Sequence, residues 1–248
     1  MSKRIDLNAD LGEGCAFDAE LMTVITSCNI ACGGHAGDLE TMRTSLQLAA
    51  QHGVAAGAHP SFPDRENFGR STSSLHGKAL ERALTEQVNE LKHHAKAAGV
   101  TLAHLKPHGA LYNMAARDTA LAESIVTVLV DTLPGARLMG PPASQLQAVA
   151  DAQGVAFVPE GFADRAYETD GRLRDRKAPG AVLHDPDDQV AQALEIALQH
   201  QVTSYDGDAI DLPVATLCVH GDTPGAFAAA QAIRAALMAE GVSVCAPD

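Results

Sequence analysis

Short apolar runs alternate with longer stretches of helical period along this chain. Residues 5–9, 24–31, 54–58, 102–106, 137–139, 155–158, 214–219 and 242–245 predict strands. Between them, Leu39, Met42, Leu46 and Ala49 recur at the spacing of one helix face. Leu80, Leu84, Val88, Leu91, Ala95 and Ala98 mark a longer helix, which Gly99 is suited to end. Further helices are predicted around Leu121–Leu129, Leu146–Val149, Val190–Leu198 and Phe227–Leu237. Pro141 and Pro142 sit where the second of these can start. About seven or eight β-then-α units imply a mostly parallel sheet with both faces covered. No linker or repeat divides the chain, so one domain over residues 1–248 is expected. It is either a (β/α) barrel or a doubly wound sheet. Segments 60–76 and 162–185 are too long for ordinary connections and read as lids, binding loops or disordered stretches.

Composition removes several functions. Eighteen Lys and Arg against 31 Asp and Glu give a net charge of −13, which argues against a phosphate-backbone binder. No nucleic-acid or membrane partner is expected. The first residues contain no apolar signal region, and no run approaches the ~18 apolar residues of a spanning helix. Cys15, Cys28, Cys32, Cys218 and Cys245 are odd in number and form no C-x-x-C pair, so a reducing cytoplasm is the simplest home. G-x-S-x-G and the P-loop pattern are both absent.

The chemistry lies in where polar residues fall. Just past successive strands come Asn8, Asp10 and Glu13; then Asn29, Cys32 and His35; then His59, Asp64 and Arg70. Lys106, His108 and Tyr112 follow the next strand, then Glu160, Asp164 and Arg165, and finally His220 and Asp222. In α/β barrels and sheets the C-terminal strand ends converge on one mouth, which is where active sites form. Lys106 is the least ordinary of these, because a lysine ending a buried strand needs a partner. It can hold an anion or stabilise an oxyanion. Of the 11 histidines, His35, His59, His108 and His220, with Asp10, supply a nitrogen and oxygen set of the kind zinc or manganese accepts. His93 and His94 on the long helix are expected at the surface, and His104 in the core beside Lys106.

Six strings in order carry a family resemblance: I-D-L-N-A-D-L-G-E-G, N-I-A-C-G-G-H-A-G-D, G-A-H-P-S-F-P-D with F-G-R, K-P-H-G-A-L-Y-N, F-A-D-R-A-Y and C-V-H-G-D-T-P-G. Together they resemble the LamB/YcsF family from Ile5 onward. Ser71 after Arg70 and the charged stretch Leu173-Arg174-Asp175-Arg176 are local departures. The resemblance implies an irregular, TIM-barrel-like (β/α) barrel, related in shape to polysaccharide deacetylases. It implies ATP-dependent hydrolysis of 5-oxo-L-proline (pyroglutamate) to L-glutamate, with ATP and its Mg as cosubstrate. It also implies work as an A subunit beside B and C subunits.

On that reading the catalytic candidates are Asp10, Glu13, Lys106 and His108. Asp10 serves as base or as a ligand orienting a metal, and Lys106 and His108 stabilise phosphate or oxyanion charge. Asn8, Asn29, Arg70, Asp164 and Arg165 are the substrate-binding candidates, either arginine clamping the carboxylate. His35, His59 and His220 are the metal candidates. Two other readings remain open: a free-standing metal-dependent deacetylase or amidohydrolase, and a non-catalytic substrate-binding subunit.

Overall fold

A computed structural model describes residues 3–221 and 225–247. Asp222, placed at the rim by the sequence, lies outside the described residues. The first half of the chain contributes β1 (Arg4–Leu11), α1 (Asp18–Leu21), β2 (Ser27–Ala31), α2 (Leu39–His52), β3 (Ala55–His59) and α3 (Gly77–Ala97). Next come β4 (His104–Leu105), α4 (Gly109–Ala115), α5 (Thr119–Thr132), β5 (Arg137–Gly140), α6 (Gln145–Ala152) and β6 (Phe157–Phe162). The chain continues with α7 (Pro186–Gln199), β7 (Gln201–Thr203), β8 (Ala209–Asp211), β9 (Thr216–Val219), α8 (Ala226–Ala239) and β10 (Ser243–Val244).

All strands of the main sheet run parallel, in the order β10-β1-β2-β3-β4-β5-β6-β9. Pairing of Asp6 with Thr216 through Ala9 with Val219 joins β1 to β9. That pairing closes a seven-stranded α/β barrel and excludes the doubly wound sheet. β10 adds to β1 below the closure, at Arg4 and Ile5. β7 and β8 form an antiparallel hairpin of three residues a strand that the apolar pattern did not predict, since only Val202 is buried in it.

Alternation along β1 explains how a fully buried strand can carry polar groups. Leu7, Ala9 and Leu11 join the apolar core, while Asp6, Asn8 and Asp10 bond to side chains of the neighbouring strands β2 and β9. The core lies between strands and helices. Leu80, Leu84, Val88 and Leu91 of α3 are all at most 1% exposed, and truncating one to Ala would cost about 2–5 kcal/mol. Asp38 caps α2 and shares a capping box with Thr41, and Gly53 ends the helix in the left-handed region.

Two local expectations change. α6 starts at Gln145 rather than at the proline pair, because Ser144 caps it by accepting from the Gln147 amide. His94 is buried on α3 and reaches Glu90 one turn away, so it is not a surface residue. Among the described residues no helix is long and apolar enough to cross a membrane, and all five cysteines are free thiols.

Candidate functional site

The C-terminal ends of the strands gather the predicted residues at one mouth, and the layer beneath holds them in place. Lys106 follows β4 and is 2% exposed. Its Nζ lies 3.0 Å from Asp10 Oδ1, 2.8 Å from Glu160 Oε1 and 3.2 Å from Cys218 Sγ. Burial opposes the ammonium, yet the carboxylates of Asp10 and Glu160 hold its pKa well above the usual lysine value. Burial likewise opposes the Asp10 carboxylate, and His59 and Lys106 hold it well below the usual range.

Asn8 and Asn29 are fully buried under this ion group. Asn8 donates to Glu160 Oε1 at 3.0 Å and to Thr216 at 2.7 Å. Asn29 donates to Asn8 Oδ1 at 2.7 Å and to Asp10 Oδ1 at 2.9 Å, and accepts from His104 Nε2 at 2.8 Å. Their amides are therefore committed to positioning Asp10, Glu160 and Lys106. Gly57 makes room for this layer: a Cβ there would stand 2.1 Å from His104 Nε2. Burial lowers the His104 pKa to about 3, so this ring is neutral.

One wall of the mouth is rich in histidine. His35, His59 and His108 surround Glu13, with Glu13 Oε1 2.9 Å from His35 Nε2, 3.4 Å from His108 Nδ1 and 3.8 Å from His59 Nε2. Burial lowers the pKa values of His35 and His108. The F-G-R string explains part of this wall. Phe68 has φ +55°, a conformation uncommon for a bulky residue, and its carbonyl accepts from His108 Nε2 at 3.0 Å. Gly69 follows at φ +62°, where a Cβ would stand 2.8 Å from the His35 Cβ. The segment after β3 is thus a loop packed over the start of α4, through the Ala110 amide on the Gly69 carbonyl.

The opposite wall comes from β6 and β9. His220 Nδ1 lies 2.7 Å from Asp164 Oδ2. The pair raises the His220 pKa against burial and lowers that of Asp164 against burial. His220 is therefore apart from His35 and His59. It groups instead with Asp10 and Cys218. Arg165 is buried and donates to the carbonyls of Ala181 and Arg174, which ties down the long loop after β6. Arg70 is exposed, with its guanidinium 4.8 Å above the Phe68 ring.

Three contributors were named in the sequence without a role or were given to the core: Glu160, Cys218 and His104. The signal that finds Cys218 and His104 is period two, since Asp6, Asn8 and Asp10, then His104 and Lys106, then Thr216, Cys218 and His220 each share a face. Cys32 is no nucleophile, because burial pushes its thiol up to about 12.

This mouth offers an ammonium and carboxylates for proton transfer and oxyanion stabilisation, and histidines that can hold a metal. A family model described as LamB/YcsF matches residues 5–248. The chain is 46% identical over 251 residues to the A subunit of 5-oxoprolinase from Methylococcus capsulatus, spanning 99% of this chain and 96% of that protein. It is similar to the lactam utilization protein from Thermus thermophilus, with a TM-score of 0.91 and 37% identity over 98% of this chain and 100% of that one. The catalytic domain of a peptidoglycan N-acetylglucosamine deacetylase from Eubacterium rectale gives a TM-score of 0.53 at 15% identity, over 100% of this chain and 90% of that one. That last likeness concerns the barrel fold alone, and it agrees with the shape expected from the sequence.

Proposed function

This chain belongs to the LamB/YcsF family, and from that premise we propose that it opens the lactam ring of 5-oxo-L-proline to give L-glutamate. The observation that carries the reading is the near-full-length likeness to the A subunit of a 5-oxoprolinase. The mouth suits the reaction. A five-membered lactam is a poor electrophile, and its hydrolysis needs an activated water, donors for the developing oxyanion and a clamp for the carboxylate.

ATP, supplied with Mg, phosphorylates the lactam oxygen and leaves as ADP. Water then adds to the ring carbon and the carbon–nitrogen bond breaks, the nitrogen taking a proton and the carbon becoming an acyl phosphate. A second water displaces the phosphate to give the free carboxylate of glutamate. Asp10 orients the water and takes its proton. Lys106, held between Asp10 and Glu160, stabilises the oxyanion or phosphate charge, while the His108 Nε2 hydrogen is committed to the Phe68 carbonyl. Arg70 clamps the substrate carboxylate, and Arg165 adds positive charge from the loop it anchors. Asn8 and Asn29 position the ion group beneath. Asp164 and His220 supply the proton for the ring nitrogen from the far wall.

We also place the chain in the cytoplasm, as a single catalytic barrel over residues 1–248 working as the A component with B and C subunits. Its relative from Methylococcus capsulatus is one subunit of an enzyme, which supports an assembly. The test is glutamate formation from 5-oxoproline and ATP by this chain, alone and with its candidate partner subunits. Glutamate that requires both this chain and ATP is expected. No glutamate under either condition overturns the reading.

A further inference from the structure

Glu13, His35, His59 and His108 bring their ligand atoms within 4.8 Å of one another. The far sides of two rings settle their tautomers. His59 Nδ1 lies 2.8 Å from the Lys106 carbonyl oxygen, and His108 Nε2 lies 3.0 Å from that of Phe68. A carbonyl only accepts, so each of those nitrogens carries the hydrogen. In the neutral rings this leaves a lone pair on His59 Nε2 and another on His108 Nδ1. The two nitrogens face each other at 3.0 Å. Glu13 Oε1 lies 3.8 and 3.4 Å from them, and Asp10 Oδ2 lies 3.3 Å from His59 Nε2. Electron-rich atoms gathered this closely, and buried, need a positive charge among them, either a proton on His59 or a bound cation.

Metal-ligating histidines carry this arrangement: one nitrogen toward the ion, the other N–H held by a carbonyl or carboxylate. Bonds of about 2.0–2.1 Å to an ion put neighbouring donors roughly 3.0–3.4 Å apart. The planes of His59 and His108 stand at 89°, so both in-plane lone pairs can meet at one point. His35 differs. Its ring stacks on His108 at 3.6 Å with the planes 1° apart, so no point lies in both planes. An ion in the plane of His108 is out of reach of a good bond from His35. His35 Nε2, 2.9 Å from Glu13 Oε1, orients the carboxylate instead.

We propose that His59 Nε2, His108 Nδ1 and the Glu13 carboxylate form a site for one divalent transition-metal ion, with His35 as a positioning residue. His220 stands outside it. Two imidazoles and one carboxylate favour a first-row transition ion over magnesium. The site stands on donor geometry alone. Its use to activate water against the lactam rests on the function proposed above.

The test uses the untagged full-length chain, stripped with chelator and titrated separately with Zn²⁺, Mn²⁺ and Co²⁺, without lactam, ATP or partners. One saturable equivalent of at least one ion is expected. Glu13→Gln and His108→Ala should lose it, His35→Ala should keep the stoichiometry with roughly 10–100-fold weaker binding, and His220→Ala should bind as the parent does. Circular dichroism checks that each variant is folded. If His108→Ala unfolds, the visible bands of Co²⁺ in the parent, and their loss in Glu13→Gln, decide. The proposal is overturned if none of the three ions binds saturably, if the equivalent survives in folded Glu13→Gln and His108→Ala, or if His220→Ala abolishes it. A chain that binds the ion but makes no glutamate would refute the lactam reading and leave the site standing.

Discussion

On the β6 and β9 side of the barrel mouth, Lys106 sits between Asp10 and Glu160, and His220 rests against Asp164. Across the mouth, Glu13 and three histidines bring their ligand atoms within 4.8 Å of one another. Both walls are buried and both are polar, but only the first holds a lysine between its carboxylates. Buried ion pairs support the fold, because removing one partner strands the other. A set of histidine and carboxylate donors is poised for a ligand, so its residues should matter to function more than to stability.

The largest break in that contrast comes from Lys106→Ala. It leaves Asp10 and Glu160 as buried carboxylates without their cation, at a cost of about 3–5 kcal/mol. His59→Ala on the other wall should cost only about 1–2 kcal/mol. Urea unfolding of the two variants measures the difference, and equal losses would erase the distinction between the walls. Activity should vanish in both.

A smaller effect is expected at Gly69→Ala. The left-handed backbone and the 2.8 Å approach to the His35 Cβ make an added methyl cost roughly 1–3 kcal/mol. The shift reaches His35 and the Phe68 carbonyl that holds His108, so activity should fall further than stability does. A variant with full turnover would show that this loop does not position the histidine wall.

The smallest is pH-dependent. Asp164 has a lowered pKa in the folded chain, so its contribution is present above the unfolded value near ~4 and lost as pH falls through the folded value. His220 has a raised pKa, so its contribution is present below about 6.5 and lost as pH rises through the folded value. Asp164, Asp10 and Arg176 are the charged groups acting on His220. Asp164→Asn should therefore lower stability by about 1 kcal/mol near pH 5–6. The gap should narrow as pH rises past the His220 pKa. Melting temperatures of parent and variant from pH 5 to 9 check this, and a gap constant with pH would count against a charged pair.

Much of this was legible in the chain. Apolar runs separated by helical stretches placed every strand of the barrel to within a few residues, because burial on both faces leaves a plain signal. The rim residues were also readable, since strand ends carry the groups that the strands themselves cannot. Less readable was what each rim residue touches. Asn8 and Asn29 looked like substrate contacts and are spent inside the barrel. Arg165 looked like a free clamp and holds its own loop. His94 looked exposed by composition and is buried. Each depends on partners from remote parts of the chain, which local pattern cannot encode.

The sequence by itself determined the alternation of barrel strands and main helices, the parallel sheet and the family, because these depend on periodicity and on ordered motifs. Only the tertiary structure decided that the sheet closes, since that rests on β1 pairing with β9 across some two hundred residues. It alone split the four rim histidines, sending His220 to Asp164 and the other three to Glu13. The reason is angular. Which wall a strand end faces depends on its place around the closed ring, and that place is set by pairing between strands distant in the chain.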